Sequence, residues 1–336
     1  MINSFKITKP TFVLPQPFTS NIRVPRSEGE KNIRFSVQKG SPSILGTTES
    51  APDCVGKDHS WRLIDSGVAD AAMNMAIDEA IALACLQGQS PATLRFYTWQ
   101  PAALSIGYFQ NVEEEIDLTH CRAQGYGFVR RPTGGKAVFH DQELTYSVAA
   151  KADNPLFPRD LHGAFLVIAE ALISGLNHLG IQAQVFEYAS RKRQSRSSPS
   201  SPSCFASAMG FEIGVEGKKL IGSAQRRWRE GFLQQGSILC HFCPEKLFDL
   251  LKFSDESKRK QALSIVTRTV TSLSSIHRQE IDLKPVKEGL IKGFEETLTI
   301  SLTRSELTPF ELDLAQQLAH QKYRTDVWNL QHRQTL

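Results

Sequence analysis

From Thr93 to Ala150 the chain repeatedly breaks its own apolar runs. TLRFYTW (93–99) and ALSIG (103–107) are separated by Gln-Pro-Ala, and GFVRR (127–131), KAVFH (136–140) and LTYSVAA (144–150) by Pro-Thr-Gly-Gly and Asp-Gln-Glu. Short runs rich in β-branched and aromatic residues, bounded by Pro, Gly and Asp, read as strands. IQAQVFE (181–187), GFEIGVE (210–216), KLIGSA (219–224) and GFLQQGSIL (231–239) continue the pattern, with a turn at Glu216-Gly217-Lys218. Helices are interleaved. Asp70 is placed to cap a helix whose apolar residues Met73, Ala76, Ile77, Ala80, Ile81, Ala84 and Cys85 fall on one stripe, with Gly88 as its stop. Further helices are predicted over 111–124, ending at Gly125, and from Leu161 to Leu179, ending at Gly180. The remainder reads as mostly helical, with a capping box at Thr308-Pro309-Phe310-Glu311. Strands and helices mixed in this way predict an α+β fold, with mixed, largely antiparallel β-sheets flanked by helices, rather than a strict βαβ repeat.

Residues 1–58 differ in character from the rest of the chain. The first 27 carry Lys6, Lys9, Arg23 and Arg26 but no Asp or Glu, among Ser, Thr, Pro and Phe. This is an extension rather than part of a core. It resembles an organelle transit peptide, and a disordered bacterial tail or an early start codon fits equally. The folded domain is then residues 59–330, interrupted by a low-complexity loop at 189–203 that is read as mobile. With a net charge of +4, nucleic acid is not implied, and no apolar run is long enough for a membrane span. Six scattered cysteines read as reduced thiols, not a disulfide framework. Cys85 lies on the helical stripe and reads as a core thiol, while Cys240-His-Phe-Cys243 lacks the second ligand pair of a zinc site.

The densest chemistry is RRPTGGKAVFHDQELTYS, residues 130–147. Two adjacent glycines between strands let a ligand approach backbone, or simply make a hairpin turn. Arg130 and Arg131 should point to opposite faces, one toward a ligand and one toward the exterior. Cys204 stands at a loop-to-strand junction, where a thiol is more accessible than on a helical stripe. Lys219 heads an apolar strand and either enters a pocket or remains solvated. Trp228 lies among Arg226, Arg227 and Arg229, and a second basic cluster falls at 191–196. Both clusters would suit acidic partner domains.

Taken with Trp61–Asp65, Asn74–Glu79, Leu94–Tyr97, Ser105–Tyr108, Lys219–Gln225, Gln235–Ile238 and Lys322–Asn329, this stretch resembles the lipoate–protein ligase and octanoyltransferase superfamily over residues 60–330. The likeness is greatest to the cysteine-dependent octanoyltransferases, which carry a nucleophilic cysteine before a Gly-x-Lys-x-x-Gly-Ser-Ala motif, the position of Cys204 here. That resemblance implies Cys204 and Lys219 as catalytic residues. It implies Arg131, Thr133, Gly134, Gly135, His140, Ser147, Gly222 and Ser223 as substrate-binding. The implied donor is octanoyl-acyl carrier protein. The implied acceptor is a lysine of a lipoyl domain, such as the glycine-cleavage H protein or the E2 component of a 2-oxoacid dehydrogenase. Neither a metal nor a cofactor is implied, and ATP would be needed only by an ATP-dependent lipoate–protein ligase, the main alternative. A non-catalytic lipoyl-domain binder is a second alternative. Location would be cytoplasmic in a bacterium, and plastid or mitochondrion in a eukaryote. Two departures stand out: Cys-Phe-Ala206 replaces the Cys-Phe-Asp of many relatives, and the loop before Cys204 is long.

Overall fold

The computed structural model describes residues 60–187 and 211–331. The N-terminal extension, the loop at 189–203 and Cys204 lie outside the described residues.

In chain order the elements begin with β1 (Ser60–Ala69), α1 (Ala71–Leu86), β2 (Thr93–Trp99), β3 (Ala103–Ile106), α2 (Val112–Glu115) and α3 (Leu118–Ala123). They continue with β4 (Gly127–Arg130), β5 (Val138–His140), β6 (Glu143–Lys151), α4 (Leu161–Asn177), β7 (Gln184–Glu187) and β8 (Phe211–Val215). Next come β9 (Lys218–Arg227), β10 (Gly231–Leu239), α5 (Pro244–Phe248), α6 (Glu256–Thr269), α7 (Leu273–His277) and α8 (Leu283–Leu298). The last are β11 (Ser301–Arg304), α9 (Pro309–Leu318), a π-helical turn (Ala319–Tyr323) and α10 (Asp326–Asn329).

The strands form an eight-stranded sheet, ordered β11-β1-β2-β6-β10-β9-β8-β7, and a three-stranded sheet, ordered β4-β3-β5. Within the large sheet β1 runs parallel to β11 and to β2, and the other pairings are antiparallel. This is the mixed, largely antiparallel α+β architecture expected. The central strands alternate strictly. Leu94 and Phe96 of β2, with Leu144, Tyr146 and Val148 of β6, pack into the core under α4 and α8. Tyr97, Trp99, Ala149 and Leu233 lie on the other face, in the core around α1 and α9. A third core lies beneath the small sheet, α5 and α6.

Local signals explain most boundaries. Asp70 caps α1 by accepting from Met73 N at 2.7 Å, and Thr308 and Glu311 form the expected capping box of α9. Three expectations need correction. Helix α1 is buried nearly all round rather than along one stripe, because the sheet and the C-terminal elements enclose it. The helix over 111–124 is broken into α2 and α3, because Ile116 bridges to Leu251 and Asp117 caps afresh by accepting from His120 N. The mostly helical C-terminal part also contains β11, a short polar edge strand that only its pairing with β1 defines.

Candidate functional site

The polar positions of that alternation floor a cavity of about 240 Å³. Met75 of α1 and Trp99 of β2 contribute to it, as do Glu143 of β6, Gln235 and Ser237 of β10, and the Gly134-Gly135 turn. Lys219, Gly222 and Ser223 enter from β9.

The turn has a defined support. Arg131 Nη2 donates to the carbonyls of Gly134 at 2.7 Å and Lys136 at 2.8 Å, and Nη1 donates to Ser105 Oγ at 3.1 Å. Gly135 has φ +94°, which disfavours a side chain, and a Cβ there would lie 2.7 Å from Arg131 Nη2. Gly107 is required from the other side, since a Cβ on it would meet Gly135 O at 1.9 Å. Thr133 Oγ1 donates to Gln235 Oε1 at 2.8 Å.

Arg130 does not serve the exterior as the strand alternation suggested. It is fully buried, and donates to the carbonyls of Gly107, Tyr108 and Gln110 as well as Asn329. Asn329 Oδ1 accepts from Arg130 N, and Trp328 Nε1 donates to Arg130 O. The C-terminal end of the domain is thus clamped beneath the turn. A bare strand pattern puts one of the two arginines in solvent, and only the chain returning near Asn329 buries Arg130.

His140 is held at both ring nitrogens. Nδ1 pairs with Glu143 Oε1 at 2.7 Å, Nε2 with Ser105 Oγ at 2.7 Å, and the ring stacks on Trp99 with centroids 3.9 Å apart. Burial pushes the Glu143 carboxyl up, but His140 and the hydroxyls of Ser237 and Thr145 outweigh it and hold it below the usual carboxylate range. Ser105, His140 and Glu143 resemble a nucleophilic triad in connectivity. Ser105 is completely buried, however, and its hydroxyl also accepts from Arg131. The chain therefore braces the cavity wall.

Lys219 is buried at the head of β9, and its Nζ donates to Glu212 Oε1 at 2.8 Å. Its backbone is tied by Thr271 N donating to Lys219 O. Gly222 leaves room for this side chain, because a Cβ there would stand 2.9 Å from Lys219 Cε. The Ser223 hydroxyl shares a hydrogen bond with Tyr146 OH at 2.8 Å. Of the expected substrate-binding set, Arg131, Thr133, Gly134, Gly135, His140, Gly222 and Ser223 line the cavity with Lys219. Ser147 does not line it. Its hydroxyl is buried and donates to Asp78 Oδ1 at 2.6 Å, because β6 turns that position onto α1. Cys204 lies outside the described residues.

Sequence reading missed Glu212 as a cavity residue. The signal was present: a lone acid between Phe211 and Ile213, in a hairpin that pairs Gly214 with Lys219, falls on the lysine's own face. The basic cluster after Lys219 is largely committed to the fold. Arg227 donates to the carbonyl of Arg159 at 2.9 Å, and Arg226 stacks over Trp228 and Tyr108. Cys240 is buried with its thiol pushed up to about 12, whereas Cys243 stands at the N-cap position of α5 without a side-chain capping bond.

The profile of the lipoyl protein ligase A/B catalytic domain matches residues 70–295. The chain belongs to that family. It is 44% identical over 270 residues to Octanoyltransferase LipM of Kyrpidia tusciae, covering 80% of this chain and 98% of that one. Its fold matches the bipartite lipoate protein ligase of an archaeal lipoylation system from Thermoplasma acidophilum with a TM-score of 0.68 and 27% identity, over 82% of this chain and 98% of the other. It also matches a lipoate-protein ligase A solved with ATP, with a TM-score of 0.66 and 29% identity, over 82% and 100% of the two chains. In this lipoyl protein ligase-type domain the cavity is thus built by the segments that carry the sequence resemblance, with the terminal Lys322–Asn329 segment acting as a clamp from behind.

Proposed function

We propose that this protein is an octanoyltransferase of lipoyl-group assembly. It takes an octanoyl group from octanoyl-acyl carrier protein onto Cys204 as a thioester. It then delivers that group to a lysine of a lipoyl domain, such as the glycine-cleavage H protein or the E2 component of a 2-oxoacid dehydrogenase. The observation that carries the reading is Lys219. It is a buried cation in the wall of a cavity roofed by the Gly-Gly turn, in a chain that closely resembles octanoyltransferases.

The chemistry balances without ATP, metal or cofactor. The Cys204 thiolate attacks the donor thioester carbonyl, the carbon–sulfur bond to the carrier breaks, and the carrier thiolate takes up a proton. The acceptor amine then attacks the octanoyl-Cys204 thioester. It loses a proton as the amide forms and the Cys204 thiolate leaves. Lys219 Nζ is the donor available to the oxygen that gains charge in both steps, and Glu212 holds the lysine side chain in place. The buried chain of Ser105, His140 and Glu143 keeps the opposite wall rigid. Ala137, Val138 and Leu239 give the cavity the apolar surface an acyl chain needs.

The test is intact mass spectrometry after mixing with octanoyl-acyl carrier protein in the absence of ATP, beside Cys204→Ser. The expected result is one octanoyl adduct on the wild type, released by hydroxylamine and absent from the variant. An adduct formed only from free octanoate or lipoate with ATP, indifferent to Cys204→Ser, would replace this reading with an ATP-dependent ligase. Stable lipoyl-domain binding without acyl turnover would replace it with a binding protein.

A further inference from the structure

Beneath the cavity floor lies a completely buried acid, Asp78 of α1. Its Oδ1 accepts from Arg95 Nη1 at 2.7 Å and Ser147 Oγ at 2.6 Å. Its Oδ2 accepts from Tyr97 OH at 2.7 Å and Gln235 Nε2 at 2.7 Å. Paired with Arg95, this carboxylate only accepts, so Gln235 must turn its NH₂ toward it and its carbonyl away. The carbonyl so oriented accepts from Thr133 Oγ1 at 2.8 Å. Thr133 is itself buried, its own carbonyl accepts from Tyr108 N at 2.9 Å, and Gly134-Gly135 come directly after it. One amide therefore passes the position of a carboxylate on α1 to the turn that roofs the cavity. Two glycines have no side chains with which to hold themselves, so the turn depends on such neighbours.

We infer that Gln235 is a positioning residue for acyl transfer. By bridging Asp78 and Thr133 it sets the height of the Gly134-Gly135 turn, and with it the register in which the acyl chain lies. The inference rests on the cavity being the acyl site. It adds the sense of the amide: donor toward α1, acceptor toward the turn.

The sense of the amide makes the idea testable. In Gln235→Glu the protonated acid has the shape of the amide, with its OH donating to Asp78 and its carbonyl accepting from Thr133. Deprotonated, it loses that donor and faces a like charge, and the Asp78 carboxylate raises its pKa. Other charged or titratable groups around this floor are Arg95 and Tyr97 of β2, Glu79 of α1, Arg131, His140 of β5, Glu143 of β6, Lys219 and Arg226 of β9, and Tyr323 of the π-helical turn. They are present in both variant and wild type, so the ratio of the two isolates what the introduced carboxyl adds, its coupling to these neighbours included.

The experiment measures the second-order rate of adduct formation from octanoyl-acyl carrier protein across neutral pH. Hydrogen exchange at the Gly134 and Gly135 amides is measured in parallel, without substrate. Gln235→Leu and Thr133→Val should each slow adduct formation by about tenfold or more, since small misplacements at a reacting centre cost rates of that order. Each should also speed exchange at the turn. Thr133→Ser should restore most of what Thr133→Val loses, and the Gln235→Leu/Thr133→Val double variant should lose little more than either single one. The Gln235→Glu rate, relative to wild type, should fall as pH rises. A pH-independent ratio for Gln235→Glu, additive losses in the double variant, or turn exchange unchanged in every variant would each overturn the inference. If the wild type forms no adduct, the functional reading fails instead, and the exchange data still decide whether this amide holds the turn.

Discussion

The two faces of the large sheet are built from the same strands and do opposite work. Toward α4 and α8, β2 and β6 present Leu94, Phe96, Leu144 and Val148 to an apolar core. Toward α1 the intervening positions present Arg95, Glu143, Thr145 and Ser147, whose polar groups are spent on buried partners: Thr145 on Glu143, and Arg95 and Ser147 on Asp78 of α1. Hydrophobic burial is non-directional and tolerates modest repacking, whereas a buried polar network has value only when every member is satisfied. The first face is an apolar core throughout, and the second joins the core around α1 to a rigid, shaped floor.

The largest expected departure comes from the polar face. Asp78→Ala leaves Arg95 buried without its partner, and should cost about 3–5 kcal/mol in urea unfolding. A loss well below that would mean the network is not the scaffold described. On the apolar face, Leu172→Ala should cost about 2–5 kcal/mol, depending on how far α4 relaxes into the space. Acyl transfer per folded molecule should stay the same. A selective fall in transfer would show that the two faces are not independent.

A smaller effect concerns Glu143. Its folded pKa is depressed, so its contribution to stability is present above the unfolded value and lost as the pH falls through the folded one. Glu143→Gln should therefore be less stable than wild type at neutral pH. The gap should narrow as the pH drops below about 4.3, the unfolded glutamate value. A gap that persists unchanged into acid would rule out this ionic contribution.

The finest comparison uses thiols. Burial pushes Cys85 on α1 up to about 11 and Cys240 up to about 12. Both should resist iodoacetamide near pH 8 in the native protein, while the partly exposed Cys243 reacts. Fast labelling of Cys85 alone would show that the α1 side is open to solvent rather than merely polar.

Much of this was legible locally. The capping of α1 by Asp70, the capping box at Thr308 and the span of β10 arise from short-range hydrogen bonding and turn chemistry, which act over a few residues. So did the cluster of Arg131, Thr133, Gly134, Gly135 and His140, because strand, turn and strand are contiguous. Glu212 was readable in principle from hairpin register. Arg130, Ser147 and Gln235 were not, because their partners lie 199, 69 and 157 residues away. Pattern alone assigns a residue to a face of its strand without naming what that face meets.

The sequence by itself determined the α+β class, most elements, the family and the turn that roofs the cavity, since each rests on local periodicity or on contiguous motifs. Tertiary structure decided which polar residues touch substrate space and which brace it from behind. That division depends on which distant segments the sheet order and the returning C-terminal chain bring against each face, a matter of packing that no single stretch encodes.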